Sequence, residues 1–322
     1  MKILFTGASS FTGYWFVQEL STAGHEVVAF FRSPYENYSG LRKERIDHLQ
    51  ALCKCIFNAP FGSEAFLSAI QAENGCDLFC HHAAEVGNYK SSYFDPIAAL
   101  SNNTHNLQAV LNALNTSKII LTGSVFEPNE GTGPDVSHAV SPYGLSKGLT
   151  SLYFRYYAAS QKIRLGKFVI PNPFGPYEEE RFTTYLAKSW YMKEIPIVNT
   201  PEYVRDNVPV TLLAKAYRKF AEDLPNSAGY CDIHPSFYAE SQANFTKRFA
   251  TELQKRLQIP CEYTLKEQPL FLEPKIRINH DVLNPEQLGW SEEASWDQLC
   301  HYYEKRLGVL KLNSGIGSCP TP

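Results

Sequence analysis

The first fifteen residues, MKILFTGASSFTGYW, constrain this chain more than any other stretch. Ile3, Leu4 and Phe5 form a short apolar run that suits a strand buried on both faces. Thr6 and Gly7 break the run, and Gly13 falls six residues after Gly7. Phe11, Tyr14, Trp15, Val17 and Leu20 then recur at helical spacing and can share one broad face. Strand, glycine turn and helix make the first half of a dinucleotide-binding unit. The turn lets backbone N–H groups approach a pyrophosphate, and the helix N-terminus adds partial positive charge. The spacing is TGxxSxxG, with Ser10 where a middle glycine is more usual. Gly7, Ser9, Ser10, Phe11, Thr12 and Gly13 are therefore the candidate phosphate-binding residues.

A chain of 322 residues can bury a large core, as one big α/β domain or two fused lobes. Net charge is −3, and no basic run exceeds a few residues, which argues against nucleic acid or a membrane surface as partner. No apolar stretch approaches the roughly 20 residues of a membrane helix. The N-terminus enters a strand directly, so no signal peptide is expected and a cytoplasmic location is. The eight cysteines are scattered without a CxxC pair and read as free thiols in a reducing compartment.

Glu26 to Phe31 reads as a second buried strand, followed by Arg32 and Ser33. An acidic residue there would accept hydrogen bonds from the ribose hydroxyls of NAD. Arg32 instead suits a 2′-phosphate, which favours NADP and leaves NAD as the alternative. A third strand is expected within Leu52–Phe57, with Asn58 at its end as an adenine contact. A helix over Ser63–Gln71 and a fourth strand over Cys76–Cys80 follow. The latter ends in His81, His82, Ala83 and Ala84; the small pair lets a cofactor cross the strand end. Adjacent histidines on a strand point to opposite faces, so both read as structural and no metal site is expected. A helix over Asn102–Leu114 and a fifth strand over Lys118–Thr122 complete the alternation, which implies a Rossmann-type, doubly wound parallel sheet. The segment from Asn313 on lacks a pattern and reads as a mobile tail.

Ser141-Pro142-Tyr143-Gly144-Leu145-Ser146-Lys147 is the second decisive segment. Ser141 can cap a helix whose first turn takes Pro142. Tyr143 and Lys147, four apart, then share a face. Making a tyrosine usable as an acid/base near neutral pH needs about 4 kcal/mol of differential stabilisation, and a nearby ammonium supplies much of that.

With these segments in this order, the chain resembles the extended short-chain dehydrogenase/reductase family, the NAD(P)-dependent nucleotide-sugar epimerases, dehydratases and reductases. The resemblance covers about residues 1–310 and rests on TGASSFTG, DLFCHHAA (Asp77 to Ala84), LTGSVF (Leu121 to Phe126), SPYGLSK, PNPFGP (Pro171 to Pro176), VRDNVPV (Val204 to Val210) and LGW (Leu288 to Trp290). It implies a Rossmann domain over 1–170, with 206–235 returning to it. A smaller substrate-binding lobe would comprise 171–205 and 236–310, and the tail 311–322.

By this resemblance Tyr143 exchanges a proton with a sugar 4-hydroxyl, and Lys147 holds the nicotinamide ribose and lowers the pKa of Tyr143. A hydroxyl from Thr122 or Ser124 assists; the spacing to Val125-Phe126 favours Thr122, and Ser124 is the alternative. Family 4,6-dehydratases carry Asp and Glu after the catalytic Thr, whereas Gly123 and Ser124 stand here. What remains is 4-epimerisation or 4-keto reduction of a nucleotide-diphosphate sugar. Pro171 would border the cofactor, and Asn172, Arg205 and Arg277 would bind the substrate. Family members often dimerise through helices like those of Asn102–Leu114 and Tyr143–Tyr157, so a homodimer is expected. The rival readings are a non-catalytic NADP-sensing protein and a reductase of a small carbonyl compound.

Overall fold

The computed structural model describes residues 1–87, 91, 93–132 and 136–314. The N-terminal run becomes β1 (Lys2–Thr6), followed by α1 (Phe11–Thr22) and β2 (Glu26–Phe30). Then come α2 (Gly40–Gln50), β3 (Lys54–Ile56), α3 (Glu64–Ala72) and β4 (Leu78–His81). Two short helices, α4 (Pro96–Asn103) and α5 (Leu107–Leu114), precede β5 (Lys118–Ser124), α6 (Pro142–Ser160) and β6 (Arg164–Ile170). The chain continues through β7 (Asn172–Phe174), α7 (Phe182–Tyr191), β8 (Ile197–Val198), β9 (Val204–Pro209), α8 (Val210–Asp223) and β10 (Gly229–Ile233). It closes with β11 (Pro235–Ser236), β12 (Tyr238–Ser241), α9 (Gln242–Leu257), β13 (Thr264–Leu265), β14 (Ile276–Arg277), β15 (Asp281–Val282) and α10 (Glu292–Ser314).

Seven parallel strands pair in the order β3-β2-β1-β4-β5-β6-β10, the Rossmann arrangement that the strand–helix alternation predicts. Strand order reverses at β1, so a crevice opens beyond its carboxyl end, where open α/β sheets bind ligands. Odd and even positions of each strand feed opposite faces. Ile3, Phe5, Cys80, Ile120 and Phe168 pack beneath α1 and α8, whereas Leu4, Phe79, Ile119, Leu121 and Leu165 pack against α3, α5 and α6. A third core, rich in aromatics, joins Phe174, Trp190, Phe249, Trp296 and Tyr303 among α7, α9 and α10. Beside it β9 is the hub of a small sheet, flanked by β12 and β14 and also paired with β7.

Three departures from the sequence pattern have local causes. The helix expected over Asn102–Leu114 is broken: α4 ends at Asn103, and Asn106 takes a left-handed φ of +49° before α5. Polar side chains in this stretch bond to nearby backbone instead of water; Thr104 Oγ1 donates to Leu100 O at 2.7 Å and Asn106 Nδ2 to Gly62 O at 2.8 Å. β5 runs to Ser124 rather than Thr122, because β6 matches it residue for residue up to Ser124 opposite Ile170. α1 is buried nearly all round, since α8 and α2 flank it, and Phe16 stacks on Tyr217 at 4.1 Å. At the C-terminus α10 is described through Ser314; the remainder of the stretch read as a tail, with Cys319, lies outside the described residues. The seven described cysteines are free thiols, and no described helix is long and apolar enough to cross a membrane.

Candidate active site

The glycine turn is held by contacts that exclude a side chain at two points. Gly7 has φ +85°, and a Cβ there would lie 2.6 Å from Ala83 N. At Gly13 a Cβ would lie 2.3 Å from Gly7 O. Ser10 caps α1: its Oγ accepts from Gly13 N at 3.1 Å and donates to Gly7 O at 2.9 Å. The serine thus closes the turn with its side chain where a glycine would use backbone alone. Phe11 and Thr12 are buried, so only their backbone amides are available to a phosphate at the helix N-terminus. Beneath the turn, fully buried Arg45 donates to Ser9 O at 2.7 Å and pairs with Glu179 at 2.5 Å.

The two histidines of β4 and its end do face opposite ways. His81 stacks on Phe154 on the α6 side, and its Nδ1 lies 3.0 Å from Thr6 Oγ1. His82 stacks on Phe5 on the α1 side, with Nε2 3.0 Å from Ser10 Oγ and Nδ1 2.9 Å from Thr122 Oγ1. Because the Ser10 proton goes to Gly7 O, the network assigns the donor role to His82 Nε2, and Thr122 Oγ1 donates to Nδ1. Burial, reinforced by the Lys147 charge, pushes both imidazoles down to about 3 and keeps them neutral. Thr122 is therefore tied to the glycine turn through His82.

Ser141 Oγ accepts from Gly144 N at 3.2 Å and starts α6, with Pro142 in the first turn. Gly144 and Gly148 allow the helix to press onto the loop after β5; Cβ atoms there would meet Phe126 O at 2.0 Å and Pro128 Cδ at 2.7 Å. The Tyr143 ring is flanked edge-on by Phe94 and Phe126, with centroids 6.0 and 6.2 Å away. One turn further, buried Lys147 donates from Nζ to Thr122 O at 2.5 Å. Burial lowers its pKa to about 8 against the pull of Glu127. Ser124 Oγ accepts from Phe126 N at 3.3 Å, leaving its own proton to donate.

Several residues here have no signal in the sequence. Glu127 is fully buried: Oε1 accepts from Ser124 N at 2.8 Å, and Oε2 meets Ser151 Oγ at 3.1 Å and Lys167 Nζ at 2.6 Å. Lys167 also reaches Glu130 at 2.5 Å, and Glu130 holds His234 Nε2 at 2.7 Å. Buried Asn103 accepts from Glu85 N at 2.8 Å and donates to Thr150 Oγ1 at 3.3 Å, joining the β4 end to α6. Apart from the Ser124–Glu127 bond, each link pairs residues far apart in the chain, which no local pattern reports.

The remaining candidates scatter around the crevice. Arg32 is 69% exposed and pairs with Glu85 at 3.2 Å. Asn58 is exposed with φ +55°, Ala83 and Ala84 are half-buried, and Pro171 is buried. Asn172 donates to Asn207 Oδ1 at 2.6 Å. Arg205 is committed to the protein: Nη1 donates to Val204 O at 2.9 Å and Pro274 O at 3.1 Å, and Nη2 meets Glu273 at 3.1 Å. Arg277 shares Glu273 at 3.0 Å and lies 3.9 Å over the Phe126 ring, next to Tyr143.

Comparison with known proteins gives one family and many solved structures of the same fold. The model for "NAD dependent epimerase/dehydratase family" matches residues 3–229. Among curated proteins, none matches. Among solved structures, UDP-glucose 4-epimerase from Thermotoga maritima with UDP-glucose has TM-score 0.71 and 20% identity over 95% of this chain and 100% of that one. A mutant UDP-glucuronic acid 4-epimerase from Bacillus cereus, bound to a fluorinated UDP-sugar and NAD, has TM-score 0.73 and 17% identity over 95% and 100%. UDP-glucose 4-epimerase from Bifidobacterium longum with NAD+ and UDP has TM-score 0.69 and 19% identity over 95% and 98%. At these identities the likeness is one of fold.

Neutral His82 makes a pH prediction. Between pH 6.5 and about 3 the unfolded chain binds a proton that the folded site refuses, so this contribution to stability is lost as pH falls through that window. Glu178, raised to about 7 by burial, acts in the opposite sense over part of the same range, so the test is differential. The stability advantage of the parent over His82→Gln, from urea unfolding, is expected to shrink by about 1–2 kcal/mol between pH 7 and pH 5. A pH-independent difference would show that the imidazole is not held neutral.

Proposed function

The chain belongs to the NAD dependent epimerase/dehydratase family, of the extended short-chain dehydrogenase/reductase class, and on that premise we propose that it is a nucleotide-sugar 4-epimerase or 4-ketoreductase using Tyr143 as acid/base. The observation that carries this is the buried Lys147 one helical turn from Tyr143, anchored on the Thr122 carbonyl near the end of β5. The residues present fit a dinucleotide. Gly7 and Gly13 leave no room for their own side chains but keep the α1 amides clear, and Ala83 and Ala84 line the adjoining strand end. When bound there, the nicotinamide supplies the hydride chemistry at sugar C4.

The protein's own groups then manage protons and charge. Tyr143, as phenolate, takes the proton of the 4-hydroxyl as C4 becomes a ketone, and returns it on reduction. Lys147 offsets the phenolate charge; its lowered pKa reflects an ammonium already stripped of water, whose field is screened little. Ser124 is favoured over Thr122 as the assisting hydroxyl, because Thr122 gives its proton to His82 under the sheet while the Ser124 proton is uncommitted. Dehydration at C5 and C6 is disfavoured because Gly123 and Ser124 stand where its acid and base would be. A Cβ at Gly123 would lie 2.6 Å from Lys167 Cε, so the acidic residue of the dehydratase pattern would displace Lys167 from its pairs with Glu127 and Glu130. Arg277, beside Phe126, is the better-placed diphosphate partner, and Arg205 and Asn172 support that wall. Free thiols at the described cysteines suit a reducing cytoplasm. Leu145, Leu152, Tyr153 and Tyr156 form an exposed apolar stripe on α6 that supports a homodimer. The exposed Arg32 supports NADP over NAD.

Three measurements test this reading. On a panel of sugar nucleotides, Tyr143→Phe is expected to bind cofactor yet lose nearly all turnover. Ser124→Ala should lose about 10²-fold or more and Thr122→Val far less; Arg277→Ala should raise KM for a diphosphate substrate. Unchanged turnover in Tyr143→Phe would remove the mechanism, and turnover only on small carbonyl compounds would replace the substrate. In fluorescence titrations NADPH should bind at least about tenfold more tightly than NADH, with the preference lost in Arg32→Ala; tighter NADH binding would reverse the cofactor assignment. In sedimentation equilibrium the parent should be a dimer and a Leu152→Glu, Tyr156→Glu double variant a folded monomer. A monomeric parent would end the dimer proposal.

A further inference from the structure

Behind the loop that follows β5, at the seam between the large sheet and the C-terminal lobe, two histidines and an aspartate converge. His234 follows β10, the sheet's edge strand, and Asp281 opens β15, which pairs with β11 through Asp281 opposite Pro235. The pair is locked from both sides: Asp281 N donates to His234 O at 2.9 Å, and His234 N to Asp281 Oδ2 at 2.6 Å. His280 stacks on His234 with ring centroids 4.4 Å apart and 28° between planes. Just before them, buried Asn279 pins the backbone by donating to Val169 O at 2.8 Å and Pro235 O at 3.0 Å.

The donor atoms are arranged for a shared cation. One ligand atom each from His234, His280 and Asp281 lies within 4.8 Å of the others. His234 Nδ1 is 3.7 Å from Asp281 Oδ2, and His280 Nε2 is 3.8 Å from Asp281 Oδ1. Tetrahedral ligands at about 2.0–2.2 Å from a metal sit roughly 3.3 Å apart. Closing the site therefore needs His280 to swing out of its stack on His234, because near-parallel rings cannot both hold one ion in their planes, with a smaller turn of Asp281; both side chains are half-exposed and free to move. His234 need not move. Its Nε2 is engaged by the buried Glu130 carboxylate at 2.7 Å, which directs Nδ1 toward Asp281. A carboxylate behind a ligating imidazole is the arrangement that fixes ring orientation and raises ligand basicity in metal sites.

Charge points the same way. Glu130, Asp232 and Asp281 all act on His234, while the nearby Lys167 is already shared between Glu127 and Glu130. Two imidazoles and one carboxylate suit Zn²⁺, Co²⁺ or Ni²⁺; Mg²⁺ and Ca²⁺ prefer oxygen donors.

We propose that His234, His280 and Asp281 bind one divalent transition-metal ion, with Glu130 orienting His234, and that the ion clamps the sheet edge to the C-terminal lobe. Its three protein ligands leave a coordination position on the solvent side, where His280 is exposed. The sequence gives no hint of this site, because His234 and the His280-Asp281 pair are far apart in the chain and match no ligand spacing.

The test uses the full, tag-free chain, treated with EDTA, dialysed and titrated with Co²⁺ while heat and visible absorption are recorded. One Co²⁺ per chain is expected, displaceable by Zn²⁺, with a higher melting temperature for the loaded protein. His280→Ala and Asp281→Asn should each weaken binding at least about tenfold. Both positions are partly exposed, and an unchanged melting temperature in EDTA shows that each variant is folded. The proposal is overturned by the absence of saturable binding at millimolar Co²⁺. It is equally overturned by binding that survives both substitutions, which would move the ion to another group such as the Cys53–Cys55 thiols. Neither result bears on Tyr143 turnover.

Discussion

A lysine ammonium held out of water at the end of β5 sets the terms for the rest of this molecule. Lowering Lys147 from its ordinary value to about 8 leaves about 3 kcal/mol standing against its charged form even after the pull of Glu127, so burial itself costs more. That cost is tolerable only because the Thr122 carbonyl accepts directly from Nζ and the buried Glu127 carboxylate lies near enough to act on it. Glu127 in turn would be an uncompensated buried charge without Lys167, and Lys167 is shared with Glu130. Breaking one member of such a set leaves another stranded, which is costlier than never having built it. The charges around the loop after β5 thus stand or fall together.

This dependence explains residues that look unremarkable alone. Gly123 is where the Lys167 side chain crosses β5, and Gly144 and Gly148 are where α6 meets the loop. At each a Cβ would fall within 2.7 Å of a neighbour, so small size here is a packing requirement rather than a flexible joint. His82 couples the same strand end to the glycine turn, since one imidazole bridges Ser10 and Thr122. The glycine turn and the end of β5 are therefore positioned against each other across the sheet and not through the loops above it.

What was legible in the sequence is what is local. The TGxxSxxG turn, the apolar strands and the Tyr143–Lys147 spacing each lie within one element, and the parallel sheet follows from their alternation. The break between α4 and α5 was not legible, because Asn103 is drawn away to Glu85 and Thr150, partners supplied by distant segments. Burial of Phe16 was hidden for a related reason: it lies outside the apolar face that the spacing reports, and Tyr217 from the distant α8 covers it. Arg45 reads as one more charge in a polar stretch, yet it is fully buried under the turn. Function at this site is carried by a few patterned residues and held by many unpatterned ones.

The arginine wall is held by a single carboxylate. Arg205 and Arg277 both meet Glu273, whose carboxylate sits where it neutralises the two guanidinium groups at once. A diphosphate would compete with that carboxylate for the same forks, and binding gains only the difference between the two sets of bonds. Arg205 has three further backbone carbonyls to hold it in place, whereas Arg277 rests on the Phe126 ring, an interaction a phosphate need not disturb. Glu273 is half-exposed and so the cheaper group to displace. On the proposed reading, entry of a diphosphate sugar would exchange one anion for another beside Phe126, whose ring also flanks Tyr143.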